Sequence, residues 1–294
     1  MADRSALGDQ HKIRVPNGTV VYRERGEGEP VVFVHGFLVD SLLWRKVVPL
    51  VAHDARCISP DWPFGSHTRA LRPDADLTTA GLARHIVDTL DALGIERATL
   101  VGNDSGGALC QIVAAHHPDR VARLVLTNCD AFDNFPPKFF RYLNVVARIP
   151  GAMGALAQSM RLPGAPRSPI AFGRMTERRI DGDVLRAWTT PVAADAAVRR
   201  DAKKLLNGLD SSATLDAAAK LTGFDRPVLL VWGREDRFFP YEHAERLAAL
   251  FPDARLVGVD GARTLVSEDR PEAVAAAIRE FLAATSEAHV APLT

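Results

Sequence analysis

The chain has 294 residues, 47% of them hydrophobic and 24% charged, and its 36 basic and 36 acidic side chains cancel. That is the composition of a soluble globular protein with a large core. It excludes the basic surplus expected of a nucleic-acid or anionic-membrane binder. The polar opening MADRSALGDQHK lacks a secretory apolar stretch, and no apolar run is long enough to span a membrane. Cys57, Cys110 and Cys129 are odd in number and scattered, which argues against a disulfide framework or a zinc site. Reduced thiols and a cytoplasmic location are expected.

In chain order, TVVYRER (Thr19–Arg25) alternates in polarity and predicts an antiparallel edge strand. VVFVHG (Val31–Gly36) and RCISPDW (Arg56–Trp62) predict buried strands. LTTAGLARHIVDTLDALG (Leu77–Gly94) has a threonine start, helical apolar spacing and a glycine stop. ATLVGN (Ala98–Asn103), a helix over Gly107–Arg120 and RLVLTN (Arg123–Asn128) follow. PVLLVWG (Pro227–Gly233), ARLVGVD (Ala254–Asp260) and an amphipathic helix over Arg270–Ser286 complete the pattern. Near-continuous apolar strands alternating with helices predict a doubly wound α/β fold with a mostly parallel sheet. The tail ATSEAHVAPLT is small and polar, and is expected to fray.

One stretch breaks the rhythm. Residues 133–214 contain no strand pattern and are punctuated by FPPK, LPGAPRSP and TTPVA. They predict a helical cap inserted into a core formed by 1–132 and 215–294. A cap over the carboxyl ends of the strands would shape a pocket and exclude water. Within it, the basic run VRRDAKK (Val198–Lys204) reads as the solvated face of a helix.

TLVGNDSGGALC (Thr99–Cys110) reads as strand, tight turn and helix. A nucleophile elbow needs small residues two before and two and three after the reacting side chain, because the strand folds straight back into a helix. Centred on Asp104, those positions are Gly102, Gly106 and Gly107. Centred on Ser105 they become Asn103, Gly107 and Ala108, and Asn103 would crowd the turn. Asp104 is therefore the preferred nucleophile. A glycine turn that merely packs helix on sheet is the competing reading.

Three motifs, VHGF ahead of Trp44, GNDSGG and WGREDRFFP, resemble the α/β-hydrolase superfamily. The resemblance covers nearly the whole chain. An aspartate at the elbow resembles its haloalkane dehalogenase and epoxide hydrolase branch. There the carboxylate attacks an electrophilic carbon to form an ester, and a histidine activates the water that cleaves it. A carboxylate needs no deprotonation near neutral pH, so it suits this role. The resemblance further implies oxyanion donors at the backbone N–H groups of Phe37 and Ser105. It also places Asp236 as the acid that orients the histidine. The side chain of His35 is expected to stabilise its own loop.

That histidine is missing. Aligned on the pattern, GARTLVSEDRPE puts Thr264 where it should stand, and no histidine occurs between His243 and His289. Threonine is no base near neutrality, and a positioned base contributes roughly 10²- to 10⁴-fold in rate. Three readings stay open. His67, in the loop WPFGSHTR, supplies the base; or Asp104 acts as a general base or binding carboxylate; or the protein binds a ligand in a retained pocket without turning it over. His53, His85, His116, His117 and His243 fall on predicted helices or their ends and read as structural or solvated.

The substrate is expected to be a small, mostly apolar molecule, with no cofactor and no metal. Halide, epoxide and ester substrates remain open, as does oligomeric state. Ser105 stands where the dehalogenases carry a halide-binding tryptophan. Trp62 and Trp188 are the candidates to replace it, against a core-packing reading. Tyr142 is the one cap tyrosine, where epoxide hydrolases use a pair. Phe132, Phe135, Phe139 and Phe140 read as cap packing or pocket wall.

Overall fold

A computed structural model of the chain describes residues 2–287. The first four residues of the expected frayed tail, 284–287, belong to the last helix, and the rest, 288–294 with His289, lies outside the described residues.

Eight strands form one sheet: β1 (Asp9–Val15), β2 (Gly18–Arg25), β3 (Pro30–Val34), β4 (Arg56–Pro60), β5 (Ala98–Asp104), β6 (Val121–Cys129), β7 (Val228–Gly233) and β8 (Ala254–Val259). Their spatial order is β1-β2-β4-β3-β5-β6-β7-β8. β2 runs antiparallel to both neighbours, and the other pairs are parallel. Val31 to Val34, Leu100, Val101, Leu124 to Leu126 and Leu229 to Val231 are fully buried. Apolar side chains on both strand faces require helices on both sides of the sheet.

Composition hid one strand. β1, sequence DQHKIRV, is largely exposed and carries little apolar signal. It holds its place by backbone pairing with β2 along a register running from Asp9↔Glu24 to Val15↔Gly18.

The helices of the core are α1 (Val48–Val51), α2 (Thr79–Ala92) and α3 (Ser105–His116). Thr78 caps α2 by accepting from the Gly81 N–H at 3.2 Å. Between β6 and β7 come α4 (Tyr142–Arg148), α5 (Ala152–Ser159), α6 (Gly182–Ala194), α7 (Ala196–Gly208) and α8 (Ser211–Leu221), with no strand among them. α4 to α7 pack on one another, whereas α8 packs against α3. α8, which begins at Ser211, therefore lies with the sheet layer and not with α4 to α7. α9 (Tyr241–Ala248), α10 (Val266–Asp269) and α11 (Pro271–Glu287) follow, with α11 against α1.

The basic run of α7 is less solvated than its composition implies. Arg199 donates to the carbonyls of Val192 and Ala193, and Lys204 to those of Pro73 and Ala75. Arg200 reaches the Leu71 carbonyl. The Arg200 and Lys204 bonds fasten the helical segment to the loop between β4 and α2, whereas those of Arg199 tie α7 to α6. A second tie comes from Asp269, which accepts from the N–H groups of Glu177, Arg178 and Arg263 at 2.7–3.0 Å. The helical segment is thereby held over the carboxyl ends of the central strands.

Candidate active site

β5 runs into α3 with no intervening loop, and the junction is Asp104 at φ 54°, ψ −134°. A non-glycine residue held there is strained. Leu38 and Phe132 share the positive φ, and Leu38 lines the same cavity as Asp104.

Sterics explain the flanking glycines. A Cβ on Gly102 would lie 2.6 Å from the Gly107 Cα, and one on Gly107 would lie 2.3 Å from the Cys129 Cβ. A Cβ on Gly106 would meet the His35 carbonyl oxygen at 2.3 Å. All three contacts are far inside van der Waals distance, so the Asp104-centred frame is the one the backbone adopts. Asn103, whose bulk disfavoured the other frame, points away into the core. Its amide donates to the Thr264 carbonyl at 2.8 Å and to the Thr127 hydroxyl at 3.1 Å.

The backbone N–H groups of Phe37 and Ser105, the two expected oxyanion donors, lie close enough to the Asp104 carboxylate to favour its charged form. The carboxylate presses so closely on Gly36 that a Cβ there would overlap it, 2.1 Å from Oδ2. Burial pushes the carboxyl up to about 7. The two N–H bonds oppose that rise, and the charge of Asp236 adds to it.

Asp104 faces a cavity of about 100 Å³. By the measure on which a single water needs about 10–15 Å³, that holds several waters or one small organic molecule. Its wall is mostly Phe, Leu, Met and other apolar side chains from the helical segment. Among the described residues, the polar side chains on it are Asp104, Ser105, Asp130, Tyr142 and Thr189. The Tyr142 hydroxyl donates to the Ile170 carbonyl at 3.0 Å, and that of Thr189 to the Leu185 carbonyl at 2.8 Å. Ser105 Oγ and Asp130 Oδ1 are buried without a hydrogen-bond partner.

Asp236 lies behind this wall. Its Oδ1 accepts the Thr264 hydroxyl at 2.9 Å and the N–H groups of Phe238 and Phe239 at 2.9 and 3.3 Å. Its Oδ2 accepts the Asn128 amide at 2.8 Å. Burial raises this carboxyl to about 6 against the pull of those bonds.

Residues 29–271 match the family described as alpha/beta hydrolase fold. The chain belongs to the α/β-hydrolase family. Haloalkane dehalogenase 2 of Mycobacterium tuberculosis is 30% identical over 268 residues, which cover 90% of this chain and 91% of that protein. The 2-hydroxy-6-oxo-6-phenylhexa-2,4-dienoate hydrolase of Burkholderia cepacia is 28% identical over 254 residues, or 82% of each chain. The solved haloalkane dehalogenase DbeA of Bradyrhizobium elkani superposes with a TM-score of 0.80 at 25% identity, covering 95% of this chain and 99% of that one. A putative ancestral haloalkane dehalogenase gives 0.79 at 27% identity, covering 94% and 99%. These relatives place this α/β-hydrolase, a hydrolytic enzyme, on the haloalkane dehalogenase branch.

The structure does not gather every expected residue of this α/β-hydrolase at the cavity. His67 is absent from the wall. It is buried, its Nε2 faces Asp201 Oδ2 at 3.3 Å, and its Nδ1 accepts the Gly65 N–H at 3.3 Å. Both ring nitrogens are thus occupied, Nε2 tying the loop after β4 to α7 and Nδ1 closing the loop on itself. Trp188 is also off the wall: its indole N–H donates to Asp40 Oδ1 at 3.0 Å, and its ring packs on Phe172. Trp62 donates to the Phe33 carbonyl. His35 accepts the Trp62 N–H at 2.9 Å and donates to the Gly36 carbonyl at 3.0 Å. Burial lowers it to about 4, so it stays neutral and holds the loop, as expected. Among the described residues no histidine lines the cavity. Phe135 and Phe140 are on its wall, whereas Phe139 packs against Phe140 and Phe238.

Asp130 was not foreseen. It follows β6 directly, beside the residue paired with Asp104. The available signal was an acid at the carboxyl end of a strand adjacent to the elbow strand, which is where open α/β sheets place their ligands.

Proposed function

We propose that this enzyme hydrolyses a small, mostly apolar electrophile through an ester on Asp104. The observation that carries this reading is the Asp104 carboxylate itself. It is held at a strained elbow, facing a largely apolar cavity, with two backbone N–H groups on it. A desolvated carboxylate is a stronger nucleophile than a hydrated one, and in its ionised form it displaces a leaving group from carbon without a base. The Phe37 and Ser105 N–H groups then stabilise the oxyanion that forms when water adds to the ester carbonyl. The helical segment acts as the cap that excludes bulk water. The partner is a small molecule, and the three buried, unpaired cysteines support a reducing, cytoplasmic setting.

The relatives' names include haloalkane dehalogenases, so a halide leaving group stands beside epoxide and ester as an open substrate class. Ser105 stands beside the nucleophile with an unpartnered hydroxyl on the cavity wall, where it can offer a hydrogen bond to a departing halide. Asp236 retains the position of the orienting acid, but it holds Thr264.

A second reading is supported by the Thr264–Asp236 bond. With no histidine in place, an Asp104 carboxyl raised to about 7 has the proton affinity of a general base. In that reading the chemistry is proton transfer, or the cavity only binds.

Intact-mass measurement after exposure to haloalkane, epoxide and ester panels separates the two. The ester route predicts an adduct on Asp104, lost in Asp104→Asn. It also predicts oxygen-18 entering the Asp104 carboxylate during turnover in labelled water. Turnover that leaves Asp104 unlabelled sinks it.

A further inference from the structure

We infer that Asp130 is the acid–base partner of Asp104: it gives a proton to the departing oxygen as Asp104 attacks, then takes one from the water that cleaves the ester. The inference rests on the ester route proposed above. It also selects, among the open substrate classes, epoxides.

Position comes first. β5 and β6 are parallel neighbours, with Asp104 paired to Cys129, so Asp130 emerges beside Asp104 at the same end of the sheet. Both residues line the one cavity. Asp130 is 1% exposed, and its Oδ1 meets no hydrogen-bond partner. A buried carboxyl oxygen left unpaired is costly unless something in the cavity completes it. Its backbone is fixed by the Gln111 amide, which donates to the Asp130 carbonyl at 2.8 Å.

Elimination comes second. Asp236 cannot serve, since both its oxygens are occupied by Thr264, Phe238, Phe239 and Asn128. The hydroxyls of Tyr142 and Thr189 are spent on carbonyls. The Ser105 hydroxyl is free but too weak an acid to transfer its proton unaided. No lysine, arginine or histidine of the described residues lies on the wall. Burial, and then the charge of Asp104, hold Asp130 well above the usual carboxylate range. The Phe37 and Ser105 N–H groups favour the charged form of Asp104, whereas Asp130 Oδ1 has no donor, so Asp104 is the one placed as nucleophile and Asp130 as acid.

The cycle closes on its own protons. In the first step the Asp104 carboxylate forms a bond to an epoxide carbon, the C–O bond breaks, and the Asp130 proton moves to the released oxygen. Asp104 is now a neutral ester, so its repulsion of Asp130 is gone, and Asp130 is left as a carboxylate. In the second step water adds to the ester carbonyl while Asp130 takes one of its protons. The tetrahedral adduct collapses, and the remaining acid proton leaves with the alkoxide. The products are a diol, ionised Asp104 and protonated Asp130. A halide accepts no proton in the first step, so Asp130 would remain protonated and could not serve as base for the second. The pair therefore matches an oxygen leaving group on a small apolar carbon frame.

The test uses rapid-quench intact mass on the full chain with two probes, styrene oxide and 1-bromobutane, comparing wild type with Asp130→Asn. Wild type is expected to form a transient Asp104 adduct with styrene oxide and release diol. Asp130→Asn should lose at least about 100-fold more alkylation rate with styrene oxide than with 1-bromobutane, the scale of a lost general acid. The 1-bromobutane arm also reports that the variant is folded. Should it fail there, Asp130→Ser is read in the same way. Equal loss with both probes in a folded variant, or no loss with styrene oxide, overturns the role of Asp130. A wild type that alkylates with 1-bromobutane but never with styrene oxide overturns the substrate class. If neither probe adds to Asp104 in wild type and oxygen-18 never enters it, the ester route itself fails, and this inference with it.

Discussion

The hydroxyl of Thr264 donates to Asp236 at 2.9 Å, in a buried pair where the family resemblance places a histidine and its orienting acid. The oxygen of Asp236 that the resemblance assigns to a histidine thus holds the Thr264 hydroxyl. That oxygen, Oδ1, is positioned to accept an imidazole Nδ1–H as it now accepts the hydroxyl. The loop is supported independently by the bond from Asn103 to the Thr264 carbonyl. Thr264→His is expected to accelerate breakdown of an Asp104 ester by at least about tenfold, the low side of what a positioned base supplies. The larger ring should cost about 1–3 kcal/mol of stability through overpacking. Adduct decay followed by intact mass after a 1-bromobutane pulse checks the first, and thermal unfolding the second. An adduct as long-lived in the variant as in wild type defeats the prediction.

Asp104 carries a stability cost with a definite pH signature. Its carboxyl is raised from 3.8 to about 7 in the folded chain, chiefly by burial. The folded state therefore holds the proton more tightly than the unfolded one. No penalty exists below the unfolded value; it grows as pH rises toward the folded value and is complete above it. Asp104→Asn removes the titration and keeps one oxygen for the Phe37 and Ser105 N–H groups. A shift of one pH unit corresponds to about 1.4 kcal/mol, so a gain of about 1–3 kcal/mol at pH 8 is expected. The gain should fade toward pH 4. Thermal melts of both proteins across that range check it, and an equal Tm difference at both ends contradicts it.

The elbow at Asp104 was legible in the sequence because its constraints are local. The tight strand-to-helix turn at Asp104 demands small neighbours at fixed offsets, and Gly102, Gly106 and Gly107 display that demand in the chain itself. The apolar strands likewise announce a sheet buried on both faces. Asp130 gave no such signal, since its role comes from the pairing of β6 beside β5 and not from its sequence neighbours. His67 illustrates the converse. Its loop leaves the right edge of the sheet, but its ring direction is set by Asp201, far along the chain on α7. β1 escaped because its stability lies in backbone hydrogen bonds that composition does not record.

The His67–Asp201 pair predicts a variant with a structural effect and no chemical one. His67→Ala removes one partner of a buried carboxylate that still accepts from the Leu71 N–H at 2.7 Å and from Arg200. The expected cost is about 1–3 kcal/mol, the range for losing one buried partner of this kind. Alkylation of Asp104 and the subsequent ester breakdown should proceed at wild-type rates at 25 °C, since the ring is off the cavity wall. Parallel measurement of Tm and single-turnover rates tests this. A variant with unchanged Tm and a slowed second step would restore His67 as the missing base.

The first chemical step should carry the titration of Asp104 directly. Only the ionised carboxylate attacks carbon, and burial raises its proton affinity to about 7. Below that value the reactive fraction falls about tenfold per pH unit; above it the fraction saturates. With 1-bromobutane, whose leaving group needs no proton, the alkylation rate is expected to climb with a slope near one from about pH 5 and level off above about 7. Asp236, whose charge contributes to the rise, offers a control. Asp236→Asn removes that repulsion and should move the midpoint to lower pH, while the plateau rate stays within a few-fold. Rapid-quench adduct formation between pH 5 and 9 supplies both curves. A rate independent of pH across the whole range would mean that Asp104 is already ionised at pH 5, and that the cavity does not desolvate it as the geometry requires.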